Sequence, residues 1–81
     1  MERFTITKTK RWGNASTDVY NVYSIARSKS KRDDVIRIAN ELMAKEEVYT
    51  NEAVEYEVIL AHDNGQSEFI HRVEKDGKKS I

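Results

Sequence analysis

The chain contains no cysteine and no proline, only three glycines, two histidines and one tryptophan, and no long apolar run. Each scarcity closes a route. Without cysteine there is no disulfide framework and no thiolate zinc site, and the composition suits a reducing, cytoplasmic setting. Two histidines are too few for a metal cage. No stretch approaches the ~20 apolar residues needed to span a bilayer, and Met1-Glu2-Arg3-Phe4-Thr5 lacks the apolar core of a secretory signal. Asn14-Ala15-Ser16 matches a glycosylation sequon, which has no meaning without secretion. The serine-hydrolase elbow, the H-E-x-x-H zinc helix, the phosphate-binding glycine loops and the EF-hand pattern are all missing. No enzymatic activity, cofactor or metal is therefore expected.

What is present is charge, and it is sorted. Residues 1–32 hold eight Lys/Arg against two acids, a net of +6, and residues 33–81 hold six bases against twelve acids, a net of −6. The zero net charge of the chain hides this dipole, which bears on what a small protein can touch. Eighty-one residues make one domain, 1–81, with a small core. With disulfides and metals excluded, self-association is the remaining aid to stability, so a homodimer is expected.

Periodicity supplies the elements. Phe4, Ile6, Lys8, Lys10 and Trp12 alternate with threonines and Arg11, a strand over about 3–11. Residues 18–26, Asp18 to Ala26, also read as a strand, with apolar residues on both faces as in a central, doubly covered position. Val35, Ile38, Ala39, Leu42 and Met43 form a helical stripe over about 31–46. Ser30 stands three before Asp33 like a capping box, and Asp33, Arg37, Glu41 and Lys45 descend a solvated face. Strands at about 53–62 and 67–74 flank Asn64-Gly65, a hairpin signal, and within the tail, 75–81, Asp76-Gly77 suggests another turn that leaves a basic end, Lys78-Lys79-Ser80-Ile81. The order β-β-α-β-β predicts an α+β domain, an antiparallel sheet with one helix packed on one face. Many unrelated proteins share that order, so it names no function.

A two-residue turn at Asn64-Gly65 predicts a register. Leu60 faces Phe69, Val58 faces His71 and Tyr56 faces Val73 on the core side. Ile59 faces Ile70, Glu57 faces Arg72 and Glu55 faces Glu74 on the other. The Ile59/Ile70 pair, with Glu57 and Arg72 beside it, is a candidate self-association patch. His62 and His71 come out about 13 Å apart at ~3.3 Å per residue, too far to share an ion within one chain.

Three charged segments are candidate binding sites. Arg27, Ser28, Lys29, Ser30, Lys31 and Arg32 lead into the helix N-terminus, where backbone N–H groups and the dipole favour phosphate, a nucleotide or a nucleic-acid backbone. Lys8, Lys10, Arg11 and Trp12 combine stacking with positive charge, as single-stranded nucleic acid or a protein partner requires. Glu46, Glu47, Glu52, Glu55 and Glu57 offer repeated carboxylates to a basic partner. The reading is a small non-enzymatic interaction protein of the accessory or inhibitor type, self-associating and binding a macromolecular partner by charge complementarity. The alternative is nucleic-acid or phosphorylated-ligand binding through the basic N-terminal third.

Overall fold

The computed structural model describes residues 1–13 and 16–77, the side chain of Ser16 excepted. Alternation of apolar and polar residues builds β1 (Arg3–Trp12), β2 (Ser16–Ala26), β3 (Glu52–Ala61) and β4 (Ser67–Asp76). The helical stripe builds α1 (Arg32–Ala44), preceded by a 3-10 turn at Arg27–Lys29. The strands form one antiparallel sheet in the order β2-β1-β3-β4, the α+β arrangement the pattern predicts. Asn14, Ala15 and the tail beyond Gly77 lie outside the described residues, and the sequon and basic tail fall partly or wholly there.

One face of β1 and β3 is the core. Phe4 and Ile6 of β1, with Val54, Tyr56, Val58 and Leu60 of β3, pack beneath Val35, Ala39 and Met43 of α1. Ile38 and Leu42 flank that contact, so the stripe meets the sheet as helical periodicity requires. The helix lies over β3 and β4 and reaches β1. It does not extend across β2.

The ends of α1 differ from the capping box expected at Ser30. Lys31 is the N-cap and gives no side-chain bond, while Asp33 and Asp34 fill the first turn and complement the dipole. At the other end Lys75 Nζ donates to the carbonyls of Met43 and Glu46, both at 3.2 Å, joining Glu46 N–H at the Met43 oxygen and tying β4 to the end of the helix. On the solvated face Arg37 pairs with Glu41 at 3.1 Å and with Asp34 at 3.9 Å, rather than with Asp33.

The β3–β4 turn is not the two-residue turn expected. Gly65 N–H donates to His62 O at 3.1 Å and His62 N–H to Gln66 O at 2.8 Å, so Asp63, Asn64 and Gly65 form a three-residue loop. Only Gly65 among them has a positive φ, 86°. Asn64 stays in ordinary space because its side-chain oxygen accepts from Gln66 N–H at 3.0 Å, and glycine alone takes the left-handed position. The longer loop shifts the pairing by one residue, to Leu60↔Glu68 and Ile59↔Phe69, until a bulge at Ile70 restores Val58↔His71. Leu60 does not face Phe69, and Ile59 does not face Ile70. Phe69 moves to the helix-free face, 59% exposed, while Ile70 packs against the core. The pairs Val58↔His71, Tyr56↔Val73, Glu57↔Arg72 and Glu55↔Glu74 stand as expected.

β2 is a strand, but an edge strand rather than a covered central one. Its register shifts between Tyr23 and Asn21, leaving Val22 as a bulge. That bulge reverses the alternation midway, which explains why its apolar residues do not follow one face. β4 runs two residues longer than expected, and Asp76 pairs with Ala53. Gly77 N–H donates to Glu52 O at 2.8 Å, and a methyl at Gly77 would overlap the Tyr49 carbonyl. The glycine there serves a close backbone approach.

Candidate functional site

The basic end of β1 and the acidic stretch after α1 are not separate patches. Lys8 follows Ile6 on the helix-side face and projects past the end of α1. There its Nζ meets Glu46 Oε1 and Oε2 at 3.1 and 3.0 Å, and the Tyr56 hydroxyl donates to the same carboxylate. Burial pushes the Glu46 carboxyl up, but the bonds from Tyr56 and Lys8 outweigh it and hold the acid below its usual range. Burial, reinforced by that carboxylate, raises the Tyr56 phenol. One step along, Lys10 pairs with Glu52 at 3.2 Å and lies 5.0 Å from the centre of the Trp12 ring. Glu52 also accepts from Tyr49 N–H at 2.9 Å. Two cations that sequence assigns to an outside anion are thus neutralised within the fold. Arg11 projects to the opposite face and is exposed, because neighbours along a strand point to opposite sides.

The helix entrance behaves the same way. Arg27 pairs with Glu2 and Arg32 with Glu68 at 3.0 Å. Ser28 and Lys29 are exposed in the 3-10 turn, Lys31 is exposed at the N-cap, and Ser30 is half-buried. Asp33 and Asp34 stand in the first turn, where an anion would meet like charge.

His62 joins these two pairs. Its Nδ1 meets Glu2, and its Nε2 lies 3.3 Å from Glu68 Oε1. Arg27, Glu2, His62, Glu68 and Arg32 therefore form one chain of alternating charge linking the N-terminal segment, the 3-10 turn, α1, the hairpin loop and β4. The Met1 ammonium pairs with Asp63 beside it. Serving both carboxylates requires both ring nitrogens to donate, hence the protonated imidazolium. The Glu2 bond raises the His62 pKa, burial opposes this, and Glu68 adds to the rise. Glu2 is lowered by His62 and then Arg27, and Glu68 by Arg32 and then His62.

A raised histidine pKa contributes stability that is complete below about 6.5 and is lost as pH climbs through the folded-state value. The two lowered glutamates contribute above about 4.3 and lose their share as pH falls. The melting temperature should therefore decline as pH rises above about 6.5, and His62→Gln should flatten that decline while His71→Gln leaves it in place. His71 is the suitable control because its Nε2 meets Asn40 Oδ1 at 3.0 Å, not a carboxylate. Thermal melts across the pH series read the difference.

The helix-free face carries Thr5, Thr7 and Thr9 of β1 between Val19 of β2 and Glu55, Glu57 and Ile59 of β3. Arg72, though opposite Glu57, pairs diagonally with Glu55 at 3.1 Å, which relieves the Glu55/Glu74 juxtaposition. The apolar pair on this face is Ile59 with Phe69.

Three of the four most exposed large apolar residues of the strands sit on β2, Val19 at 62%, Tyr20 at 46% and Val22 at 41%, the fourth being Phe69 of β4. Sequence reasoning placed them under cover, and the only available hint was their failure to alternate. Among the described residues no group of acids and histidines is arranged to hold a metal ion, and no helix is long and apolar enough to cross a membrane. No protein-family model, curated protein or solved structure matches this chain.

Proposed function

We propose that this is a small, non-enzymatic interaction protein of the accessory or inhibitor type, which self-associates and engages a macromolecular partner. One observation carries the reading: an eleven-residue edge strand, β2, offers a continuous exposed stretch, Thr17–Val22, beyond the reach of α1. Valine and tyrosine in an unprotected strand are costly in solution unless covered. The lack of cysteine supports a cytoplasmic setting. Charge contributes through groups the fold leaves without a basic partner, Asp18 on β2 and Glu57 on the helix-free face among the described residues.

Binding of nucleic acid is the less favoured reading, because Lys8, Lys10, Arg27 and Arg32 each face a carboxylate. Sedimentation velocity over a rising concentration series tests self-association: the mean mass should climb toward that of a dimer. A single monomeric species at high micromolar concentration overturns the proposal.

A further inference from the structure

The tip of the β3–β4 hairpin carries two irregularities that cancel. The three-residue loop over Asp63, Asn64 and Gly65 sets β4 one position out of step with β3, and the bulge at Ile70 puts it back. From Val58↔His71 onward the pairing is the one that a two-residue turn at Asn64-Gly65 gives with no bulge at all. The loop and the bulge can therefore vanish together while everything beyond His71 stays in place. Only the start of β4 changes: Ser67, Glu68, Phe69 and Ile70 each move to the opposite face, because side chains alternate along a strand.

We infer that the hairpin tip has two registers, the bulged one of the structure and a regular one that His62 holds in check. In the regular register Phe69 enters opposite Leu60 and Ile70 turns out opposite Ile59. Glu68 leaves the helix side to stand opposite Ala61. The apolar pair on the helix-free face changes from Ile59 with Phe69 to Ile59 with Ile70, so the surface offered to a partner changes with the register.

Opposing effects bring the two states close in free energy. The bulged state leaves Phe69 59% exposed while Ile70 packs on the core, and the regular state exchanges one large apolar side chain for the other. The bulged loop also keeps Asn64 out of left-handed space, although Asn-Gly is the pair that best suits a two-residue turn. What the bulged state gains is Glu68 on the helix side, where it meets Arg32 at 3.0 Å and His62 at 3.3 Å. Both contacts break when Glu68 changes face. Around His62 stand Glu2 of the N-terminal segment with Arg27 of the 3-10 turn behind it, and Glu68 with Arg32 of α1 behind it. Asp63, paired with the Met1 ammonium, is its neighbour in the loop. The imidazolium serves Glu2 and Glu68 together, whereas a neutral ring has one N–H and serves one of them. The Glu68 contact is the longer and is the one given up. Rising pH therefore favours the regular register, and Arg32 keeps the shift partial.

Fluorine NMR of the full chain, with para-fluorophenylalanine at both phenylalanines, reads the switch, and Phe4, 2% exposed, is the buried reference. The Phe69 resonance should exchange with a minor form shielded from a soluble paramagnetic agent. That form should be roughly 0.1–10% populated below about pH 6.5, and roughly three- to tenfold more populated well above it. Glu68→Ala should show the higher population at every pH. Asp63→Pro should abolish the minor form. The Gly65 N–H bond to His62 O closes a type I turn in the bulged loop, since Asp63 and Asn64 both have negative φ, and Asp63 holds the position that proline favours. The two-residue turn instead needs the Asp63 N–H to pair with Gln66, and proline has none. A Phe69 signal that stays exposed and free of exchange in wild type and Glu68→Ala alike overturns the second register, as does a minor form that survives Asp63→Pro. A minor form with one population across the pH range overturns the control by His62.

Discussion

Ile6→Ala should destabilise the protein by about 2–5 kcal/mol, and Phe69→Ala, the larger truncation by volume, should cost under about 1 kcal/mol. Ile6 is fully buried on β1, the strand bonded to β2 on one side and β3 on the other, opposite Tyr23 and Val58 and within the core beneath α1. Truncation there removes apolar burial and leaves a cavity that the two neighbouring strands prevent from closing. In a domain this small the total stability is on the order of 5–15 kcal/mol, so the variant loses a large fraction of it. Phe69 keeps 59% of its surface in water and gives up little on truncation. Urea unfolding of both variants measures the contrast. Equal losses would return Phe69 to the core and with it the register of a two-residue turn.

Glu46→Ala should cost about 1–3 kcal/mol, and Tyr56→Phe about 0.5–1.5 kcal/mol. The carboxylate accepts from both Lys8 and Tyr56, with side-chain exposures of 21% for Lys8 and 16% for Glu46. Its removal leaves a half-buried ammonium and a buried hydroxyl without their acceptor, and an unpaired polar group loses more than the pair had gained. Tyr56→Phe removes one donor and leaves the Lys8–Glu46 pair intact. Glu46 also stands just past Lys45, the C-cap of α1, so its loss loosens the connection between the helix end and β1. The double variant Lys8→Met/Glu46→Leu, which removes both charges, should recover part of the loss, since two apolar groups leave nothing unsatisfied. Chemical unfolding of wild type, Lys8→Met, Glu46→Leu and the double variant closes the cycle. A double variant as unstable as the sum of its parts would show that the two residues act independently.

The sorting of charge along the chain illustrates how far a linear pattern carries. The imbalance between residues 1–32 and 33–81 is real, and it suggests patches that attract outside partners. Folding uses much of it internally: Lys8 reaches Glu46 across 38 positions, Arg32 reaches Glu68 across 36, and Arg27 reaches Glu2 across 25. None of these pairs has a local spacing rule, unlike the i, i+4 pair Arg37–Glu41. His62 shows the same limit. Its distance from His71 argued against a shared metal, but its bridge between Glu2 and Glu68 depends on three separate segments meeting.

Sequence alone determined the element order, the helix, the core faces of β1 and β3, and much of the β3–β4 register. Those follow from periods of 3.6 and 2 set by local backbone geometry, which a single chain displays directly. Only the tertiary structure decided the loop length at Asn64-Gly65, the bulges at Val22 and Ile70, and the placement of β2 at the edge. A turn needs only one left-handed residue more or less to shift pairing by a position, and composition scarcely registers that difference. Strand order depends on which edges close around the helix. The loop and the bulge turned Ile70 toward the core and released Phe69, and the edge position left Val19, Tyr20 and Val22 facing water.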